Sequence, residues 1–218
     1  MANVNAPFGF KPIQSAVGAA SNFEMVQGQI LYSDTTKIFR GDPVKYTDTT
    51  GAYITQWTAS TPVSQLVGIF WGCTYLSTAQ GKVVQSQIWP GADVASTAQD
   101  TIVANIVPCT GSASPLLLVQ SDSTGVAFAD IGSNMDSAAA VGSTFTGQSA
   151  MFLAVTPATT ATLPWRVVCL YGGKPGAGGF MGIQPSTTNP YGGSATGAYN
   201  WVIVRANVVG AGATGLSS

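Results

Sequence analysis

Ten short runs of β-branched, aromatic and other apolar residues, separated by turn residues, constrain the fold of this chain more than any other feature. An apolar repeat of helical period is almost absent, whereas short runs bounded by Gly, Pro, Asn, Asp and Ser are typical of strands. Ten strands indicate an all-β fold, an antiparallel β-sandwich or barrel, and the turn spacing leaves these two topologies open. The predicted strands are 26–32, 43–46, 53–57, 66–75, 82–89, 101–107, 116–119, 149–155, 165–171 and 200–209.

Three turn sequences predict where consecutive strands reverse direction. Residues 48–51 (DTTG), 77–81 (STAQG) and 121–125 (SDSTG) each end in a glycine, which accepts the positive φ that a hairpin loop requires. We expect each of these turns to close an antiparallel pair. Helix is predicted only at 134–141 (NMDSAAAV), where an Asn or Asp cap is followed by three alanines and glycines on both sides limit the length.

Three segments are too rich in Gly, Pro and small residues to pack a core of their own. Residues 1–20 are predicted to be an extended N-terminal arm, 172–193 a Gly/Pro-rich loop, and 210–218 a mobile tail. The sequence shows no internal repeat, and no linker separates two apolar halves. We therefore expect one β-rich domain, residues 21–209, with the arm and the tail attached to it.

The chain is poor in charge, with eight basic and nine acidic residues among 218 and no histidine. Without imidazole, catalytic triads and metal sites that use histidine are excluded, and the few Lys and Arg residues argue against binding to nucleic-acid phosphates. No apolar stretch approaches the length of a transmembrane helix, and the first residues lack the features of a secretory signal. We expect neither a nucleic-acid nor a membrane partner, and synthesis in a cytoplasm.

No residue pattern indicates a catalytic, cofactor or metal site. Cys73, Cys109 and Cys169 each lie in an apolar context without a CxxC pair, which favours buried thiols over nucleophiles or metal ligands. The glycine motif at 210–215 (GAGATG) is not followed by the helix and acidic residue that a dinucleotide site needs. The scattered carboxylates leave open only a catalytic pair that the fold would have to assemble.

Five short segments in a fixed order carry the most specific signal in the sequence. They are 5–12 (NAPFGFKP), 38–44 (IFRGDPV), 66–75 (LVGIFWGCTY), 89–91 (WPG) and 189–192 (NPYG). In this order they resemble the patterns APFGFRPV, IFxGDPV, GxFxGCxY, YWPxG and NxYG of a family of tailed-bacteriophage virion structural proteins. Two differences from that family are Lys11 in place of the usual Arg and Ile88 in place of the usual Tyr.

Several members of that family resemble capsid decoration proteins, also called head cement proteins. The resemblance implies that this chain binds the outer surface of an icosahedral head, stabilises the shell against internal DNA pressure, and has the major capsid protein as its partner. It also implies assembly in the host cytoplasm, a place in the virion, and no enzymatic activity. Because such proteins usually form small symmetric oligomers, we expect a homotrimer with a heterologous interface.

The N-terminal arm is the predicted contact with the capsid or with a neighbouring subunit. The predicted contact residues are Pro7, Phe8, Gly9, Phe10, Lys11 and Pro12. We expect this segment to lie extended over the partner and to add strand or pocket contacts, with Phe8 and Phe10 as anchors. The sparse charge further predicts that binding depends only weakly on salt.

An alternative function is a receptor-binding or carbohydrate-binding β module of a head or tail fibre. All five tryptophans lie in or beside predicted strands, where a core position is expected. Exposed indole faces would instead favour a surface that stacks on sugars. The tryptophans are Trp57, Trp71, Trp89, Trp165 and Trp201.

Overall fold

The computed structural model describes residues 3–14, 24–47, 53–59, 61–109, 114–171 and 197–207. Almost all regular structure in these ranges is β-strand, so the prediction of an all-β fold is confirmed. The predicted loop 172–193 and tail 210–218 lie outside the described residues, as do 1–2 and 15–20 of the predicted arm.

The described part of the chain contains fourteen strands, and each of the ten predicted runs overlaps at least one of them. The run at 82–89 divides into two strands that join different sheets. Three 3₁₀ helices, at Val63–Gln65, Ser96–Thr101 and Phe128–Asp130, complete the regular structure. The strands are β1 (Lys11–Gln14), β2 (Val26–Ile30), β3 (Ile38–Phe39), β4 (Pro43–Tyr46), β5 (Tyr53–Gln56), β6 (Leu66–Ser77), β7 (Lys82–Ser86), β8 (Ile88–Trp89), β9 (Val103–Pro108), β10 (Leu116–Gln120), β11 (Asn134–Ala138), β12 (Phe152–Ala158), β13 (Trp165–Leu170) and β14 (Trp201–Ala206).

Five strands close into a small barrel in the order β4-β5-β2-β9-β6, because β6 also pairs with β4. Neighbouring strands are antiparallel except β2 and β5, which run parallel. At 12 residues, β6 is long enough to serve the barrel and to form a hairpin with β7 through its second half. Alternate barrel residues form one core, in which Ile30, Val44, Ile54, Phe70 and Ile106 are each at most 2% exposed.

A second, open sheet of six antiparallel strands has the order β1-β10-β14-β13-β11-β12. Leu117, Val119 and Val204 of this sheet share a core with Ile69 and Val107 of the barrel strands. The sheet therefore packs on the side of the barrel, and the fold contains both of the arrangements that the sequence left open. β1 is an edge strand of the open sheet.

Two of the three predicted turns can be compared with the structure, and one of them closes a hairpin. Gly81 has φ +63° and donates its N–H to the Ser77 carbonyl at 2.9 Å, which joins β6 to β7 as predicted. Gly125 also has a positive φ of 74°, but the strand before it pairs with β1 and β14 rather than with the next strand. β4 and β5 are antiparallel neighbours, while the turn at 48–51 itself lies outside the described residues.

The helix predicted at 134–141 is wrong, because Asn134–Ala138 form β11 between β12 and β13. Burial alternates along this strand: Met135 and Ser137 are buried, while the residues beside them are partly exposed. The helical preference of a few alanines amounts to only about 1 kcal/mol, and pairing on both sides outweighs it.

The N-terminal segment is not a free arm, because Lys11–Gln14 form β1 on this chain's own sheet. Phe10 is completely buried and stacks on Trp165 with ring centroids 4.4 Å apart. Phe8 is 8% exposed and meets Trp201 edge to face at 5.4 Å. Both rings contribute to the fold of this chain, so neither of them projects as an anchor into a neighbouring protein.

Candidate functional site: a pocket lined by two cations

Three segments that are distant in sequence are joined by backbone hydrogen bonds beside the N-terminal strand. The Phe10 N–H donates to the Gly41 carbonyl at 2.9 Å, and the Gly41 N–H donates to the Phe70 carbonyl at 2.9 Å. The Phe70 N–H in turn donates to the Asp42 carbonyl at 2.8 Å. The segments 5–12, 38–44 and 66–75 therefore meet at one place, which we call the Gly9–Gly41 junction.

Glycine is required at this junction because two backbones approach closely with positive φ. Gly9 has φ +72° and Gly41 has φ +100°, values that residues other than glycine rarely adopt. A Cβ atom on Gly9 would also lie 2.5 Å from the Cβ of Ser149 and 2.8 Å from the Gly41 carbonyl oxygen. The glycines thus allow the N-terminal segment to lie directly against the loop that precedes β4.

Asp42, next to the junction, is a completely buried carboxyl group. Its Oδ2 accepts hydrogen bonds from the Phe39 backbone N–H and from Gln56 Nε2, both at 2.8 Å. Burial raises the pKa of this carboxyl from 3.8 to about 6, and the bond from Phe39 opposes only part of the rise. Because this folded-state pKa exceeds the unfolded one, the folded state loses stability as the pH rises from about 4 through 6.

A cavity of about 420 Å³ opens beside the junction, and we call it the Lys11–Arg40 pocket. Its walls come from β1 and β10, from the loop before β4, from β6, from the link between β7 and β8, and from the loop between β11 and β12. Phe8, Pro12 and Leu118 supply buried apolar surface to it. The complete lining is Phe8, Lys11, Pro12, Ile13, Arg40, Gly41, Trp71, Gln87, Leu118, Thr146 and Gln148.

Two basic side chains in the pocket are each held over an aromatic ring. Lys11 Nζ lies 4.5 Å from the centre of the Phe8 ring, and Arg40 Cζ lies 4.0 Å from the centre of the Trp71 ring. These distances are those of cation–π contacts, which fix the position of a cation without neutralising it. Partial burial, followed by the nearby charge of Arg40, lowers the pKa of Lys11. No carboxylate is present among the eleven residues that line the pocket.

The polar groups of the pocket are two basic side chains and three neutral ones. Gln87, Thr146 and Gln148 add amide and hydroxyl donors to the two cations, and the Gln148 side chain donates to the Phe8 carbonyl at 3.5 Å. The lining contains no thiol, imidazole or carboxylate that could serve as a nucleophile or general base. The arrangement can hold a ligand that carries an anionic group beside an apolar part.

The structure brings together only half of the six predicted contact residues at this pocket. Phe8, Lys11 and Pro12 line it, whereas Gly9 lies in the junction and Phe10 in the core. Pro7 is half-buried and is not part of the lining.

The sequence interpretation missed five other polar or aromatic lining residues, because no local spacing connects them to the N-terminal segment. A signal existed for two of them: Arg40 lies in the segment 38–44 and Trp71 in the segment 66–75, both of which are part of the resemblance. Nothing in the sequence indicated the others. The five residues are Arg40, Trp71, Gln87, Thr146 and Gln148.

The cysteines are free and buried, as predicted. Burial raises the pKa of Cys73 and of Cys109 to about 12, and that of Cys169 to about 11, so none of them is a thiolate near neutral pH. Among the described residues, no group of three or more His, Cys, Asp or Glu side chains is placed to hold a metal ion.

Three of the five tryptophans occupy the expected core positions. Trp57, Trp89 and Trp165 are at most 1% exposed, while Trp71 and Trp201 are half-buried. Trp71 lies under the Arg40 guanidinium, and Trp201 contacts Phe8 and Tyr171.

Within the ranges that the structure describes, no helix has the length and apolar character needed to span a membrane.

The comparisons with protein-family models, with curated proteins and with solved structures found no match for this chain.

Proposed function

We propose that this chain is a bacteriophage capsid decoration protein, which binds the outer surface of an icosahedral head and stabilises the shell against internal DNA pressure. One observation carries the proposal. Three of the five segments that resemble phage virion proteins, 5–12, 38–44 and 66–75, converge on the Lys11–Arg40 pocket. Besides forming the buried junction, each of these segments places a side chain on the pocket, namely Lys11, Arg40 and Trp71, and this supports a binding role.

The chemistry of the chain also supports a binding role over an enzymatic one. The sequence has no histidine, and the pocket offers two basic side chains and neutral donors without a carboxylate or thiol. A protein that covers a surface needs burial and hydrogen bonds rather than titrating groups. We therefore propose the major capsid protein as the partner, and the virion surface, after assembly in the host cytoplasm, as the location.

We further propose that the chain forms a homotrimer. The loop between β11 and β12 presents Phe145 at 98% exposure and Val141 at 86% exposure. Large apolar side chains displayed at this level are typical of surfaces that become covered in an assembly. Light scattering of the purified chain tests this state, because a monomer at all concentrations would contradict it.

The copy number of the protein in intact particles tests the proposed function. A decoration protein that follows the symmetry of the shell is expected in copy numbers on the order of hundreds per head, comparable with the major capsid protein. A quantitative stained gel of purified particles measures this ratio. A handful of copies per particle would overturn the proposal and would favour a fibre component.

The alternative function, a carbohydrate-binding or receptor-binding module, has one supporting observation in the partial exposure of Trp71 and Trp201. Sugar recognition needs an open aromatic face, however, and the Arg40 guanidinium covers one face of Trp71. Binding of the purified chain to a glycan array, combined with low copy number, would favour this alternative.

A further inference from the structure

We propose that the Lys11–Arg40 pocket binds an acidic side chain of the major capsid protein that has an aliphatic residue beside it. This inference rests on the proposed function for the identity of the partner. The chemistry of the occupant follows from the pocket itself, through its charge, its apolar wall and the strand that borders it.

The charges of the pocket favour an acidic occupant. The whole chain has only eight basic residues, and two of them lie at one cavity whose lining contains no carboxylate. Burial and then the charge of Arg40 lower the pKa of Lys11, so the two cations of the pocket repel each other. A carboxylate in the pocket would offset that repulsion and could accept a charged hydrogen bond from either side chain.

The two cations of the pocket are preorganised, which favours the binding of an anion. The ring of Phe8 lies under Lys11 and the ring of Trp71 lies under Arg40, so both cations are positioned before any ligand arrives. A receptor with fixed cations loses less side-chain entropy on binding than one with free Lys and Arg chains. Lys11 and Arg40 therefore present two positioned positive charges to a ligand in the pocket.

The apolar wall indicates what stands beside the anion. Phe8, Ile13 and Leu118 lie on the same side of the pocket, where β1 and β10 meet. A volume of about 420 Å³ is within the usual range for ligand pockets and exceeds what one carboxylate group requires. We therefore assign this wall to an aliphatic neighbour of the acidic residue.

The edge strand favours insertion of side chains over addition of a further strand. β1 is at the edge of its sheet, but Pro12 in its centre has no N–H to donate to an incoming strand. The partner's main chain thus gains little by pairing with β1. Its side chains, in contrast, can enter the adjacent pocket.

Binding to bare heads, assembled without this protein, is the first arm of the test. The variants Lys11→Gln and Arg40→Gln each remove one pocket charge, while Lys82→Gln and Arg205→Gln remove one exposed charge that does not line the pocket. Each pocket variant is expected to weaken binding about tenfold and to reduce its salt dependence, whereas the controls bind like the wild type. Thermal unfolding of each variant confirms that it is folded.

A pair of peptides is the second arm, and it does not depend on heads. Acetyl-Val-Glu-Leu-amide should shift the side-chain N–H resonances of Arg40 and Trp71 in a ¹⁵N spectrum, and the Gln analogue should not. Equal responses to both peptides, or no response to either, would overturn the inference.

The two arms distinguish the failure of this inference from the failure of the proposed function. Wild-type affinity of both pocket variants for heads would overturn the acidic contact and leave the decoration role intact. Absence of any binding to heads, with a response specific to the Glu peptide, would overturn the decoration role while the carboxylate preference of the pocket stands.

Discussion

Replacement of Phe10 by alanine tests whether the N-terminal segment belongs to the fold. Phe10 is completely buried and stacks on Trp165, so Phe10→Ala removes a whole ring from the core shared by the sheet and the barrel. Such truncations lower the free energy of unfolding by about 3–5 kcal/mol. For a chain of this length, the midpoint of thermal unfolding should fall by roughly 6–20 °C.

Urea unfolding followed by tryptophan fluorescence measures this loss. Val83→Ala is the control, because it truncates an apolar side chain that is 57% exposed and lies outside the loop proposed for assembly. The control should change the free energy of unfolding by less than about 0.5 kcal/mol. Similar losses in both variants, or a loss below about 1 kcal/mol for Phe10→Ala, would refute the placement of Phe10 in the core.

Three further predictions concern buried groups. Between about pH 4 and pH 7, the unfolding free energy of Asp42→Asn should gain about 2 kcal/mol relative to the wild type, because the variant cannot be destabilised by ionisation; a constant difference in urea titrations would contradict this. The three cysteines should resist a thiol reagent near pH 8 in the native protein and all react in denaturant, so rapid native labelling would show that a thiol is accessible. Gly9→Ala should destabilise the chain more than Gly81→Ala, measured by thermal unfolding, because both glycines have positive φ but only the first would clash; equal losses would argue against the close junction.

The strands were predictable where their residues carry a strong β pattern. Runs such as Leu66–Ser77 combine β-branched and aromatic residues between clear turns. This local pattern favours a strand whatever the tertiary surroundings are. β11 was not predictable, because its Ala and Ser side chains are too small to show an apolar alternation. β1 was missed because a proline within four residues suggests a loop, although proline is tolerated on an edge strand.

The candidate site was predictable only in part, because it is assembled from segments far apart in sequence. The sequence indicated Lys11 and its neighbours as a contact surface, but it could not show that Arg40 and Trp71 face them across a cavity. Sparse charge predicted contacts that depend weakly on salt. The proposed pocket contact would confine the salt-sensitive part of binding to two side chains, Lys11 and Arg40.

A cryo-EM reconstruction of intact particles tests the central claim most directly, because it shows both the location of the protein and the orientation of its pocket. We expect this chain on the outside of the shell at symmetric positions, with Lys11 and Arg40 facing a carboxylate of the major capsid protein. Density for this chain only at the tail, or on the head with the Lys11–Arg40 pocket turned toward solvent, would contradict it.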